Sequence, residues 1–202
     1  MTPEHAATQR EFINKIVHHK SEWVPLLSFP SVPSRKTVSQ SAKDFWTELH
    51  AVPEEDWCGV YQVSLTCPDE IVHKDIGYVG TSEYFPYRVY NLKCSTTSAK
   101  NMHHKCGRFL HYSPIEASQV FVRMLFTNVS DAGWLEGLIH DQMRHEYKYH
   151  YGFQWEQASG GPASSLLTAF DGIARLTSAA EIAQVEHFLA KHKAKLPATL
   201  CD

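Results

Sequence analysis

Gly59-Val60-Tyr61-Gln62-Val63-Ser64 and Ile76-Gly77-Tyr78-Val79-Gly80 are the two halves of the stretch that decides the fold. Val60, Gln62 and Ser64 alternate with Tyr61, Val63 and Leu65, as a half-buried strand requires. Thr66-Cys67-Pro68-Asp69-Glu70 is a turn cluster, in which Pro68 pre-sets φ and Asp69 can bond its own backbone. Ile76 to Gly80 is a second short strand that ends in glycine. The pattern predicts an antiparallel pair joined by a loop of moderate length. Tyr61 stands near the start of the first strand and Tyr78 near the end of the second. Matching alternation in an antiparallel pair brings both phenols to one site.

Downstream, a helix is expected from near Ser82, with Pro86 tolerated in the first turn, where amides have no helical partner. Phe85, Val89 and Leu92 form its buried stripe, and Arg88 sits on that same stripe. An arginine on an apolar face is unusual unless it is paired or used. A second helix is expected over roughly Met102 to Tyr112, with Met102, Cys106, Phe109 and Leu110 on its apolar side. In that helical phase His103 shares an edge of the apolar side, while His104 and Arg108 point elsewhere. Gln119 to Thr127 alternates into a third strand. Ser130 is expected to cap the next helix, whose stripe is Leu135, Leu138, Ile139, Gln142 and Met143. Glu136 lies at the margin of that stripe, and Gly152 stops the helix.

Upstream, residues 1 to 20 read as a helix, with His18 and His19 suiting its negative end. Ser41-Ala42-Lys43-Asp44 reads as a capping box opening a short helix. Arg35 and Lys36 lie in a polar loop, either solvated or available to a phosphate backbone. Past Gly152, residues 158 to 165 are a connection rich in Gly, Ser and Ala. Ser178 opens a last amphipathic helix that ends in Lys191, Lys193 and Lys195. The expected organisation is a helical extension over 1–55, a core over 56–157 and a second helical extension over 158–202. The class is α+β, a small three-stranded antiparallel sheet flanked by helices, with extra helices at both termini.

Gly59-Val60-Tyr61 and Tyr78-Val79-Gly80 resemble the paired triplets of the GIY-YIG nuclease family, with valine for isoleucine in each. The resemblance runs on to about Gln154 and implies a metal-dependent DNA endonuclease. It implies Tyr61 as general base, Tyr78 as the residue that orients water or binds phosphate, and Arg88 as the arginine on the first helix. Some members carry a histidine where His103 stands, with His104 as the neighbouring choice, and Arg108 is a runner-up for the arginine. Gly152-Phe153-Gln154 stands where the family shows glycine, an aromatic and asparagine, so Gln154 keeps the amide but is longer by a methylene.

This chemistry suits the residue types. One carboxylate, Glu136, can hold Mg²⁺ or Mn²⁺ while the ion keeps several waters. Arg88 offers bidentate donors to phosphate. A phenol needs a nearby cation to become a useful base, and Arg88 and the metal are the expected sources. A stand-alone chain with one motif copy points to a restriction-like or phage-encoded enzyme, a homodimer where both strands are cut.

Composition bounds the alternatives. A net charge of −3 and a pI of about 6.5 argue against a strongly basic nucleic-acid binder but leave room for a local basic site. Nothing approaches a membrane span, and the opening residues carry no secretory pattern, so a cytoplasmic protein is expected. Five scattered cysteines suggest reduced thiols. His103, His104, Cys106 and His111, with Cys94, form a weaker candidate zinc module whose spacing fits no usual pattern. A catalytically inactive nucleic-acid-binding protein on the same fold is the third reading.

Overall fold

The computed structural model describes residues 3–50, 52–73, 75–98, 104–112 and 115–147. The chain is α+β. Helix α1 (Pro3–Ile16) precedes two strand fragments, β1 (His19–Lys20) and β2 (Val24–Pro25). Helix α2 (Gln40–His50) leads to the hairpin of β3 (Gly59–Ser64) and β4 (Ile76–Ser82). Then come α3 (Phe85–Thr97), α4 (Lys105–Tyr112), β5 (Phe121–Phe126) and α5 (Val129–Tyr147). The sheet is antiparallel, in the order β1-β5-β3-β4, with β2 also pairing β5.

The hairpin forms as predicted, but β3 is buried along its whole length rather than half-buried, because helices cover both faces of the sheet. Tyr61 lies opposite Gly80 and Val63 opposite Tyr78, so the two tyrosines are diagonal neighbours on one face. A register shift between Val63 and Ser64 absorbs the odd residue. On that face Val63, Val122, Met124 and Phe126 pack with Phe85, Val89 and Leu92 of α3 and with Cys106 and Leu110 of α4. Trp46 of α2 and Trp57 join the same core. The other face carries Val60, Val79 and Leu125 against Ile13 of α1 and Leu135, Ile139 and Met143 of α5.

The sheet is wider than the three expected strands. The predicted helix over residues 1–20 stops at Ile16, and His19 pairs with Phe126 instead of closing a helix. The N-terminal segment thereby lines the outer edge of β5. Its interruption is bridged by Ser21, whose backbone N–H donates to the Met124 carbonyl and whose Oγ accepts the Met124 N–H, each at 2.9 Å. Pro25 follows on this edge, where a missing N–H costs no ladder bond.

Two caps fall two residues earlier than expected. Ser39, not Ser41, caps α2, its Oγ accepting the Ala42 N–H at 3.2 Å. Asn128, not Ser130, precedes α5, its carbonyl accepting the Asp131 and Ala132 N–H groups. Each site offers polar residues in close succession, and only tertiary packing selects among them. The predicted helix from Ser178 lies outside the described residues.

Arg123 on β5 is fully buried, at 1% exposure. Its Nε and Nη2 donate to Gln62 Oε1, and its two Nη groups also donate to the carbonyls of Pro68, Asp69 and Glu70, all within 3.1 Å. The guanidinium lies 4.4 Å from the centre of the Trp23 ring. Burial lowers its pKa to about 10, opposed by Asp69 and Glu22. The loop between β3 and β4 is therefore tied to the interior through three consecutive carbonyls, around Cys67 at a φ of +54°.

Candidate active site

The site grows from the α3 and α4 side of the hairpin. Tyr61 and Tyr78 stand with ring centres 5.8 Å apart and planes 33° apart. Gly80 makes this possible: a Cβ there would stand 2.7 Å from Tyr61 Oη and 2.8 Å from Tyr78 Cε1. Gly59, at the other end of the first triplet, has a φ of +135°, and a Cβ on it would run into the Leu125 carbonyl oxygen. Both glycines are fixed by the room their neighbours leave.

Three polar groups converge on the Tyr61 oxygen. Arg88 donates from Nε at 3.2 Å, and its guanidinium carbon lies 5.7 Å from the Tyr61 ring centre. His104 Nε2 lies 2.7 Å from Tyr61 Oη. Tyr78 hydrogen-bonds the same oxygen in the sense that favours the Tyr61 phenolate. Tyr61 and His104 are buried, Tyr78 nearly so, and Arg88 is half-buried.

Burial decides the resting ionisation. It pushes Tyr61 up to about 12, although Arg88 and the Tyr78 hydrogen bond pull the other way and Cys106 adds to the rise. The expectation that Arg88 would bring the phenol down is thus corrected: its pull is present, but desolvation is larger. Tyr78 is raised well above 10 by burial and by Tyr61. Burial alone would lower Arg88; Tyr61, Tyr78 and Glu136 outweigh it, and the guanidinium stays charged.

Arg88 also lines an open cleft of about 410 Å³, together with Arg35, Thr81, Ser82, Ala132 and Gly133. Arg35 donates to Glu83 at 2.9 Å, both side chains being exposed. Ala132 and Gly133 are one turn of α5 before Glu136, which is half-buried and close enough to Arg88 to raise its basicity. The cleft lining carries the Thr81 and Ser82 hydroxyls and the Glu83 carboxylate, which is paired with Arg35; Glu136 lies one turn beyond the lining residues of α5, and its single carboxylate is the donor type that Mg²⁺ takes together with waters. Among the described residues no three His, Cys, Asp or Glu side chains gather as a closed metal site. Glu146, further along α5, is ion-paired with Arg10 of α1.

The structure thus brings Tyr61, Tyr78, Arg88 and His104 together, with Glu136 facing the arginine. His104 corrects the helical phase drawn from sequence. Helix α4 begins at Lys105 rather than Met102, so His104 is its cap and turns inward instead of following the outward face. His103 and Gln154 lie outside the described residues, as does the side chain of Arg108. Thr81 and Ser82 were missed, since small hydroxyls at the end of a strand carry no signal by themselves. No family model, curated protein or solved structure compared with the chain matches it.

Proposed function

We propose that the chain is a metal-dependent DNA endonuclease of the GIY-YIG type. The observation that carries the reading is the convergence of Arg88, His104 and Tyr78 on one phenol oxygen, from elements far apart in sequence. A simple core tyrosine needs one partner for its hydroxyl. Three hydrogen-bonding partners around one oxygen, Arg88 and Tyr78 among them as donors, suit an oxygen that carries negative charge during its work.

In this reading Tyr61, once deprotonated, takes a proton from a water as that water's oxygen bonds to phosphorus. The ester P–O bond on the far side breaks, and its oxygen is protonated from solvent. Arg88 neutralises the phosphate, reaching from the buried phenol to the open cleft. Arg35, on the cleft rim, attracts the neighbouring phosphate. Glu136 is the carboxylate that would hold Mg²⁺ or Mn²⁺, and the ion would supply Lewis-acid stabilisation of the charge that builds on the phosphate. The full burial of Tyr61 is the one observation that favours the binding-only alternative, and the same experiment separates the two.

The test is incubation with supercoiled, linear and branched DNA, with and without Mg²⁺ or Mn²⁺. Metal-dependent cleavage is expected. Glu136→Gln should abolish cleavage and leave binding intact or tighter, because the carboxylate holds the cation yet repels phosphate. Arg88→Ala should weaken both. Binding without cleavage on every substrate would leave the inactive reading standing.

A further inference from the structure

We propose that helix α4 sets the protonation pattern of the site, holding His104 as a neutral imidazole that donates from Nε2 to the Tyr61 oxygen. The inference rests on the nuclease reading for its consequence, but its structural half stands on geometry alone.

His104 immediately precedes α4, the position of an N-cap. Caps are normally Ser, Thr, Asp or Asn, whose side-chain oxygen accepts an N–H from the first turn. Here the imidazole does that work: the Gly107 N–H donates to His104 Nδ1 at 3.3 Å. A ring nitrogen that accepts a hydrogen bond carries no proton. In a neutral imidazole the proton is then on Nε2, which faces Tyr61 Oη at 2.7 Å. The histidine is therefore a donor toward the phenol oxygen rather than the base that strips it.

The surroundings oppose a second proton. Tyr61 on β3 and Tyr78 on β4 pack edge-on against the imidazole, Arg88 on α3 and Cys106 on α4 act on the same Tyr61 phenol, and Glu136 of α5 acts on Arg88. An imidazolium would lose the cap, face the positive end of α4 and add charge near Arg88. The backbone is held as firmly as the ring. The His104 N–H donates to Ser95 Oγ on α3 at 3.0 Å. Gly107 lets the two helices meet there, since a Cβ on it would stand 2.8 Å from the Leu92 carbonyl and would crowd Ser95 Cβ. Ser95 and Gly107 are positioning residues, acting on Tyr61 only through His104.

The consequence for the reaction is directional. With His104, Arg88 and Tyr78 all donating, the Tyr61 proton has no acceptor among them and leaves toward the cleft. The site is built to hold the phenolate once formed.

Two measurements test this on the full chain. Long-range ¹H–¹⁵N correlation of the histidine rings, assigned with His104→Gln, should show His104 at pH 7 with Nδ1 bare and Nε2 protonated. Ser95→Ala should blur that preference. An Nδ1-protonated ring, or an imidazolium at pH 7, overturns the proposal whether or not the protein cuts DNA. Cleavage rates then read the role. Glutamine keeps one acceptor and one donor, so His104→Gln should retain at least tenfold more activity than His104→Ala at matched thermal melting. Equal loss in both, with wild-type cleavage intact, makes His104 a base and refutes the donor role. Absence of wild-type cleavage refutes the nuclease reading instead, and leaves the tautomer result to decide the structural claim.

Discussion

At the scale of single residues, Tyr61 sets the sharpest expectation. With its value near 12 in the resting site, only about one molecule in 10⁵ carries the phenolate at pH 7, and each added pH unit raises that fraction tenfold. Burial favours the neutral form, so raising pH supplies the active form. The cleavage rate should climb with a log–log slope near one from pH 7 toward 10, and Tyr61→Phe should flatten the profile and lower the rate by about 10² to 10⁴. A pH-independent wild-type rate in that range would remove Tyr61 as the base. Tyr61, Tyr78 and Arg88 were legible in the sequence because strand alternation and a helical stripe fix where they point. His104 was legible only as the choice after His103, because a helix-phase argument fails at the residue where the helix begins.

Among the elements, the β3–β4 hairpin depends on its two glycines for different reasons. Gly80→Ala should push the tyrosine rings apart, costing about 1–3 kcal/mol and most of the activity. Gly59→Ala meets rigid backbone at a φ that L-residues rarely adopt, so its loss in thermal melting should be the larger of the two. Arg123→Met leaves Gln62 and three loop carbonyls without their donor and should cost about 3–5 kcal/mol. Limited proteolysis should then cut between Leu65 and Asp75 ahead of the rest. The hairpin was readable because alternation and turn chemistry agree. The outer edge was not: β1 and β2 span two residues each, and part of their pairing goes through the Ser21 hydroxyl. No periodicity survives in pieces that short.

For the whole molecule, the two faces of the sheet divide the labour. The Tyr61 face is closed by α3 and α4, while α5 crosses the opposite face and carries Glu136 to Arg88. Among the described residues the chain holds one such site, and concerted cutting of both DNA strands would then need two copies. A homodimer is expected, at least on DNA. Light scattering that finds a monomer both free and bound, alongside concerted double-strand breaks, would contradict this. Exposed Phe12 and Leu27 give the N-terminal region apolar surface for such a contact. No described helix is long and apolar enough to cross a membrane.

The edge pairing of His19 with Phe126 joins residues roughly a hundred apart in the chain. On the ribosome this matters in time rather than in space. The β3–β4 hairpin is local and can form as soon as it emerges, yet it has no partner on the β5 side until residue 126 has been made. Until then residues 19–25 have nothing to pair with, and the flank of β3 stays open to neighbouring chains. The strand that seals the sheet is translated early but can act only late.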